Sequence, residues 1–124
     1  MAGKLLLIED ETNIAEAIRF ILSRDGWVVA HEGDGLAAMA AVAREKPDLV
    51  ILDMMLPGRT GLEILADLRG HPGTACLPVL MLTAKGGSRD REAAERGGAS
   101  AFMTKPFAND QMRAAVRALM DPPR

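Results

Sequence analysis

The chain has 124 residues, of which 48% are hydrophobic and 26% are charged, and its formal net charge is −2. This size and composition predict one globular domain that buries a core without disulfides or a structural metal. The small net charge disfavours a nucleic-acid partner, and no apolar run of about 20 residues predicts a membrane span. We expect a cytoplasmic domain over residues 1–121, with 122–124 as a tail or the start of a linker.

Short apolar runs alternate with segments of helical periodicity along the whole chain. The runs have strand length, and the segments between them repeat apolar residues at helical spacing. The alternation predicts an α/β fold, a five-stranded parallel sheet with right-handed crossovers and helices on both faces. In chain order, we predict strands over 4–8, 27–31, 48–53, 78–83 and 100–104, and helices over 12–24, 35–45, 60–69, 88–96 and 109–120.

A few residues carry local predictions. Asn13 and Glu16 have the spacing of a capping box at the first helix, and Asp34 is placed to cap the second helix. Cys76 is the only cysteine, so it forms no internal disulfide. We expect it to be a small buried hydrophobe near a strand rather than a nucleophile.

Polar residues stand where the predicted strands end. Glu9 and Asp10 follow the first strand, Asp53 ends the third, Thr83 ends the fourth and Lys105 follows the fifth. Parallel strands carry ligands at their carboxyl ends, so these groups should gather at one edge of the sheet. Three crowded carboxylates call for a cation, and an all-oxygen donor set suits Mg²⁺.

A carboxylate at such an edge is also a nucleophile for phosphorus, and Asp53 is the candidate. Lys105 and Thr83 would supply the charge and the hydroxyl that phosphoryl transfer needs. Each of the two residues, considered alone, also has a non-functional interpretation. Thr83 could hydrogen-bond a backbone group at the end of its strand, and Lys105 could be a solvated surface residue. His31 and His71 are expected to be structural or exposed, because neither follows a strand with the acids.

Several short motifs surround these strand ends. They are Leu7-Ile8-Glu9-Asp10-Glu11, Asp53 with Pro57 and Gly61, Thr83-Ala84, Gly98-Ala99, and Phe102 ahead of Lys105-Pro106-Phe107. On these motifs the chain resembles, over essentially its whole length, the receiver domains of two-component response regulators. The resemblance implies a flavodoxin-like, CheY-like sheet with strand order 2-1-3-4-5. It also implies a signalling phosphoacceptor rather than an enzyme on other substrates.

For the metal, the resemblance implies a Mg²⁺ ion bound by Asp10, by Asp53 and by the backbone carbonyl of Met55, with Glu9 as an outer ligand through water. Met55 lies two positions after Asp53, where an attacking water must approach. Because an apolar side chain does not orient that water, we predict slow self-dephosphorylation.

For the switch, the resemblance implies that Asp53 accepts a phosphoryl group from the phosphohistidine of a kinase or phosphotransfer protein. Lys105 would bind the phosphoryl oxygen, Thr83 would turn toward the phosphate, and Phe102 would move inward. That movement would remodel the surface of the fourth helix, fifth strand and fifth helix. The Lys105-Pro106 bond is expected to be cis.

The expected partners are a sensor histidine kinase or histidine phosphotransfer protein and a downstream protein target or attached output domain. The resemblance places kinase docking on the first helix around Ile14 and Ile18. A homodimer through the fourth helix, fifth strand and fifth helix is a further option. No nucleic acid and no membrane is expected to bind this chain itself.

Two other functions compete with this interpretation. A haloacid-dehalogenase-like phosphatase also combines a nucleophilic Asp, a Ser or Thr, a Lys and an acid pair. In that class an acid stands where this chain has Met55, and the acid pair follows the Lys, whereas here Glu9 and Asp10 precede it. A flavodoxin-like electron carrier would need a Ser/Thr-rich phosphate loop after the first strand and flanking aromatics, which the sequence lacks.

Overall fold

The computed structural model describes residues 3–84 and 88–120, and the predicted tail at 122–124 lies outside them. Helices and strands alternate throughout the described residues, as predicted. A short 3-10 helix, Gly35–Ala37, opens the segment predicted as the second helix. The strands are β1 (Lys4–Ile8), β2 (Val28–Glu32), β3 (Leu49–Asp53), β4 (Val79–Thr83) and β5 (Ala101–Thr104), and the helices are α1 (Thr12–Arg24), α2 (Ala38–Glu45), α3 (Gly61–Gly70), α4 (Ser88–Gly97) and α5 (Asn109–Met120).

The five strands form one parallel sheet in the order β2-β1-β3-β4-β5. This confirms the predicted architecture and strand order. In the centre of the sheet, Leu6 of β1 lies opposite both Ala30 of β2 and Val50 of β3. All five residues of β3 and of β4 are buried, which is why both strands appear in the sequence as continuous apolar runs.

Alternate strand residues build two separate core layers, because side chains along a strand point to opposite faces. One layer lies under α2, α3 and α4, and the other under α1 and α5. Buried members of the first layer include Leu6, Ile8, Val50, Leu52, Ile64, Leu65, Leu68 and Ala94. Buried members of the second include Leu5, Leu7, Leu49, Ile51, Ile18, Leu22, Met112 and Val116.

The helix caps differ in part from the sequence predictions. The capping box predicted from Asn13 and Glu16 is wrong, because α1 already begins at Thr12 and its N-cap, Glu11, accepts no side-chain hydrogen bond. The cap predicted at Asp34 is confirmed, since its Oδ1 accepts from the backbone N–H of Leu36 at 2.9 Å.

Two further differences concern α3 and the segment after it. The Thr60 hydroxyl accepts from the Glu63 N–H, and the Glu63 carboxylate accepts from the Thr60 N–H, which is a full capping box that the sequence analysis missed. Cys76 was predicted to be buried but is exposed, because it lies in the connection before β4 rather than in the strand. Within the described ranges, no helix is long and apolar enough to cross a membrane.

Candidate functional site

The carboxyl ends of β1, β3 and β5 bring three charged side chains together. Asp53 is the last residue of β3, and Glu9 follows β1 directly. The Nζ atom of Lys105, which follows β5, lies 3.1 Å from Glu9 Oε1 and 3.2 Å from Asp53 Oδ2. Glu9 is 0% exposed, Asp53 is 2% exposed, and the Lys105 side chain is 10% exposed. The predicted gathering of these three groups at one edge is therefore present.

The predicted acid cluster is present as well. One carboxylate oxygen from each of Glu9, Asp10 and Asp53 lies within 4.8 Å of the others. Asp10 is exposed, so the cluster opens to solvent on one side. A set of oxygen donors that is part buried and part open, with room for water, fits Mg²⁺.

Burial sets the protonation behaviour of Glu9. Desolvation, opposed by a hydrogen bond from the Glu11 N–H and by Lys105 and aided by the neighbouring Asp53, brings the pKa of this carboxyl from 4.5 to about 7. The rise comes chiefly from burial of the carboxyl, because burial disfavours its charged form, and the Lys105 ammonium at 3.1 Å offsets only part of it.

Lys105 is held in its charged form. Burial alone would lower the pKa of its ammonium, but the negative charges of Asp53 and Glu9 outweigh that effect, and the pKa is raised. Its Nζ also lies 3.8 Å from Glu11, whose side chain is exposed. Lys105 is thus a buried cation that faces the acids. The alternative interpretation, a solvated surface lysine, is not what the structure shows.

Thr83 and Phe102 both contact α4. Thr83 is buried, and its hydroxyl donates to Asp90 Oδ2 at 3.3 Å. Phe102 is half-buried, and the guanidinium carbon of Arg91 lies 5.2 Å from its ring centroid. The sequence analysis gave Asp90 and Arg91 no role at the site, and only their position on the first turns of α4, between the ends of β4 and β5, distinguishes them.

The loop between β3 and α3 closes tightly behind Asp53. The Gly61 N–H donates to the Met54 carbonyl at 2.8 Å. A Cβ on Gly61 would collide with the Asp53 carbonyl oxygen and would lie 2.8 Å from the Met54 Cα. Gly35 meets the same loop, since a Cβ there would lie 2.8 Å from the Pro57 carbonyl oxygen. Both glycines are required by close approach of the backbone.

Met55 lies on the open side of this loop. Its side chain is 71% exposed, and its N–H lies 3.4 Å from Asp53 Oδ1, which is long for a hydrogen bond. The side chain therefore stands in solvent two residues after Asp53.

Both histidines make backbone contacts, as expected of structural residues. His31 Nε2 lies 2.7 Å from the Glu9 carbonyl, and His71 Nδ1 lies 2.6 Å from the Asp67 carbonyl. Because a carbonyl only accepts, each ring nitrogen donates. The Lys105-Pro106 bond is cis, which confirms that prediction.

A groove of about 420 Å³ borders the site between α1 and the segment that joins β5 to α5. Its apolar floor comes from Ile14, Ala17 and Ile21, and Lys105 and Phe107 form the opposite wall. Ile18 was predicted to be an exposed docking residue, and that is wrong: it is 0% exposed and belongs to the core under α1. The exposed side of α1 lies one residue earlier, at Ala17.

Together, a doubly wound parallel sheet, an acid cluster at its carboxyl edge and a lysine on the central aspartate define a phosphoacceptor class of signalling domain. The comparisons with known proteins identify the family. The family model for the response regulator receiver domain matches residues 5–117, so the chain belongs to that family. It is a receiver domain of two-component response regulators, and neither competing class of function is needed.

Individual relatives agree with this assignment. The chain is 42% identical over 117 residues to the probable transcriptional regulatory protein TcrX of Mycobacterium tuberculosis, covering 94% of this chain and 49% of that protein. The chain thus spans about half the length of the curated relatives it matches. The BeF3-activated N-terminal receiver domain of Klebsiella pneumoniae RstA superposes with a TM-score of 0.90 at 31% identity, covering 96% of this chain and 99% of that one.

A third likeness shows the fold. The receiver domain of the sensor histidine kinase PA1611 from Pseudomonas aeruginosa superposes with a TM-score of 0.88 at 24% identity, covering 97% of this chain and 98% of that one. That structure holds a magnesium ion coordinated in its active-site cleft.

Proposed function

We propose that Asp53 is the phosphoacceptor of this receiver domain and takes its phosphoryl group from a phosphohistidine on a partner kinase or phosphotransfer protein. The observation that carries the proposal is the contact of Lys105 with Asp53 at 3.2 Å in a buried acid cluster. A carboxylate oxygen of Asp53 attacks phosphorus, the P–N bond breaks, and its electron pair stays on the imidazole nitrogen, which takes up a proton. Lys105 then contacts the new phosphoryl oxygens, as an ammonium held in its charged form can do.

Mg²⁺ would be held directly by Asp10, Asp53 and the Met55 carbonyl. Glu9 would contact the ion through water. When bound, the ion neutralises charge on the phosphoryl oxygens. The clustering of the three carboxylates supports this assignment. The magnesium ion reported for the PA1611 receiver domain supports it by analogy.

The switch that we propose runs through Thr83 and Phe102. A phosphoryl group on Asp53 offers new oxygens to the Thr83 hydroxyl, and those contacts exist in only one conformation, so they bias the equilibrium toward it. Movement of Thr83 makes space for Phe102, which is half-buried beside the α4 layer. The surface of α4, β5 and α5 changes as a result.

The partner docks, in this proposal, in the groove between α1 and the β5–α5 segment. The groove ends at Lys105, so a helix lying in it would bring a phosphohistidine to Asp53. Output passes to a downstream protein or an attached domain, as the transcriptional relative suggests. We propose a cytoplasmic location on the basis of family membership alone. Residues 122–124 would form a tail or begin a linker.

A homodimer through α4, β5 and α5 stays a prediction. Three arginines on these two helices pair within the chain: Arg96 with Glu92, Arg113 with Asp110 and Arg117 with Asp25. The pair of Arg96 with Glu92 is exposed on both sides and contributes little free energy, so Arg96 is available to a second copy.

The test is intact-protein mass after incubation with acetyl phosphate and Mg²⁺. The wild-type chain should gain one phosphoryl mass, Asp53→Ala should gain none, and removal of Mg²⁺ with EDTA should abolish the gain. Asp110→Ala is the matched control, because that carboxylate is almost fully exposed at the start of α5.

Two results would contradict the proposal. Release of inorganic phosphate without an adduct would favour the phosphatase, and neither adduct nor turnover would mean that Asp53 accepts no phosphoryl group.

Met55→Asn should shorten the lifetime of the adduct, because an amide can orient the attacking water. An unchanged lifetime would remove Met55 from that role.

A further inference from the structure

Two neighbouring residues of α4 each contact one of the switch side chains. Asp90 Oδ2 accepts a hydrogen bond from the Thr83 hydroxyl at 3.3 Å, at the end of β4. Arg91, the next residue, places its guanidinium carbon 5.2 Å from the ring centroid of Phe102, on β5. One short stretch of helix thus contacts both side chains whose movement the proposed switch requires.

Each contact favours the present position of its partner. A hydroxyl carries one hydrogen, so Thr83 cannot donate to a phosphoryl oxygen while it donates to Asp90. The acceptor is a carboxylate, and hydrogen bonds to charged groups are the stronger kind. Arg91 lies within cation–π distance of Phe102, so burial of the ring costs that contact.

The other end of α4 is fixed by different means. Arg69 donates from Nε to the Gly98 carbonyl at 2.9 Å and from Nη1 to the Leu77 carbonyl at 2.7 Å. Gly97 packs against Leu65, so closely that a Cβ would lie 3.0 Å from it. The C-terminal end of α4 is therefore clamped to α3, and the opposite end contacts the switch residues.

We propose that Asp90 and Arg91 are positioning residues that hold Thr83 and Phe102 in the unphosphorylated arrangement, and we name this pair the α4 latch. This inference rests on the proposed function. The latch contacts exist only in the unphosphorylated conformation. Switching breaks them, so their free energy is subtracted from the free energy that a bound phosphoryl group contributes to the active conformation. A weaker latch makes the switch easier to turn on.

The experiment measures the apparent affinity for beryllofluoride, a phosphoryl mimic, in the presence of Mg²⁺. The Phe102 ring resonances serve as the NMR readout, since the chain has only three phenylalanines. Asp90→Ala and Arg91→Ala should each tighten binding by about 3- to 10-fold, the effect of one charge-assisted contact on a two-state equilibrium. Asp90→Asn and Arg91→Lys, which keep an acceptor and a cation, should recover part of the wild-type affinity.

Arg96→Ala and Glu95→Gln are the matched controls, because both residues are exposed on the same helix. They should bind beryllofluoride as the wild type does. In the unmodified protein, the two latch variants should also raise amide exchange in the first turns of α4, by about 5-fold for one lost contact.

The outcomes separate the two proposals. A wild-type chain that gains no phosphoryl group from acetyl phosphate fails the proposed function. A wild-type chain that gains it, while Asp90→Ala and Arg91→Ala match Arg96→Ala in affinity and exchange, overturns the latch alone. Tighter binding in both latch variants with unchanged controls supports it.

Discussion

The strands at the centre of the sheet and the strand at its α4–β5 edge end on the same side of the molecule, but the two regions are packed very differently. Every residue of β3 and β4 is buried, whereas all four residues of β5 are only half-buried. Among the described side chains of α4, Ala94 is the buried one. Dense packing holds the polar groups of the centre in place, and the sparser burial predicts a lower local stability at the edge.

The largest expected effect contrasts one large aliphatic residue from each region. Leu52→Ala in β3 should lower the free energy of unfolding by about 4 kcal/mol, because it leaves a cavity in a fully buried strand. Met103→Ala in β5 should cost about 1 kcal/mol, since that side chain is only half-buried. Urea unfolding measures both.

Leu36→Ala is the control for this pair, because Leu36 is 69% exposed. It should change stability by about 0.5 kcal/mol or less. Equal costs at positions 52 and 103 would contradict the contrast between centre and edge.

The second effect concerns the buried charges. Lys105→Met should destabilise the metal-free protein by about 3 kcal/mol, because it leaves Glu9 and Asp53 buried without a cation. Adding Mg²⁺ should recover most of the loss. Thermal unfolding with EDTA and with Mg²⁺ measures this.

Lys4→Met is the matched control for Lys105→Met. Lys4 pairs with Glu45 at 2.7 Å but is solvent-accessible, so its removal should cost about 0.5 kcal/mol with no response to Mg²⁺. A similar cost at both lysines would mean that the centre is better solvated than its burial indicates.

The third effect is a pH dependence that arises at the centre. The pKa of Glu9 is raised from 4.5 to about 7, so the native state binds a proton that the unfolded chain has released over that range. Stability of the metal-free protein should therefore fall as pH rises from about 5 to 7, by about 2 kcal/mol from this group. Above the folded pKa the contribution is constant.

Denaturant unfolding in EDTA across this pH range tests the prediction. Glu9→Gln should flatten the slope, because an amide does not titrate. A slope that survives in Glu9→Gln would assign the pH dependence to another group.

The smallest effect probes the support behind the centre. Thr60→Ala removes the hydroxyl half of the capping box of α3 and should cost about 1 kcal/mol. The yield of the phosphoryl adduct should not change, because the cap lies outside the acid cluster. Glu92→Ala is the control, because it removes an exposed acid of α4 that takes no part in the capping box. A lost adduct in Thr60→Ala would show that the start of α3 positions Asp53.

Much of the centre was predictable from the sequence, because apolar runs that end in Glu9, Asp53 and Thr83 report both burial and the strand ends. The topology then follows from the alternation of elements. The α4 latch was not predictable: Asp90 and Arg91 lie in a polar helix with ordinary composition, and their contacts depend on how that helix lies over two strand ends.

The wrong predictions have physical reasons as well. The capping box at Asn13 was misplaced because the acids that end β1 run directly into α1, so the helix starts before that residue. Cys76 looked like a core residue from its type alone, whereas its position in a connection exposes it. Thr60 and Glu63 have capping-box spacing that the apolar pattern of α3 overshadowed.

Gly61 and Gly35 show that part of this site is built from missing atoms. Neither residue offers a reactive group, yet a single methyl at Gly61 would push against the backbone that carries Asp53, and one at Gly35 would press on the loop that follows it. A survey of substitutions would record both glycines as intolerant and invite a catalytic explanation. The explanation is steric: the backbone that carries Asp53 passes so close to Gly61 that no side chain fits between them.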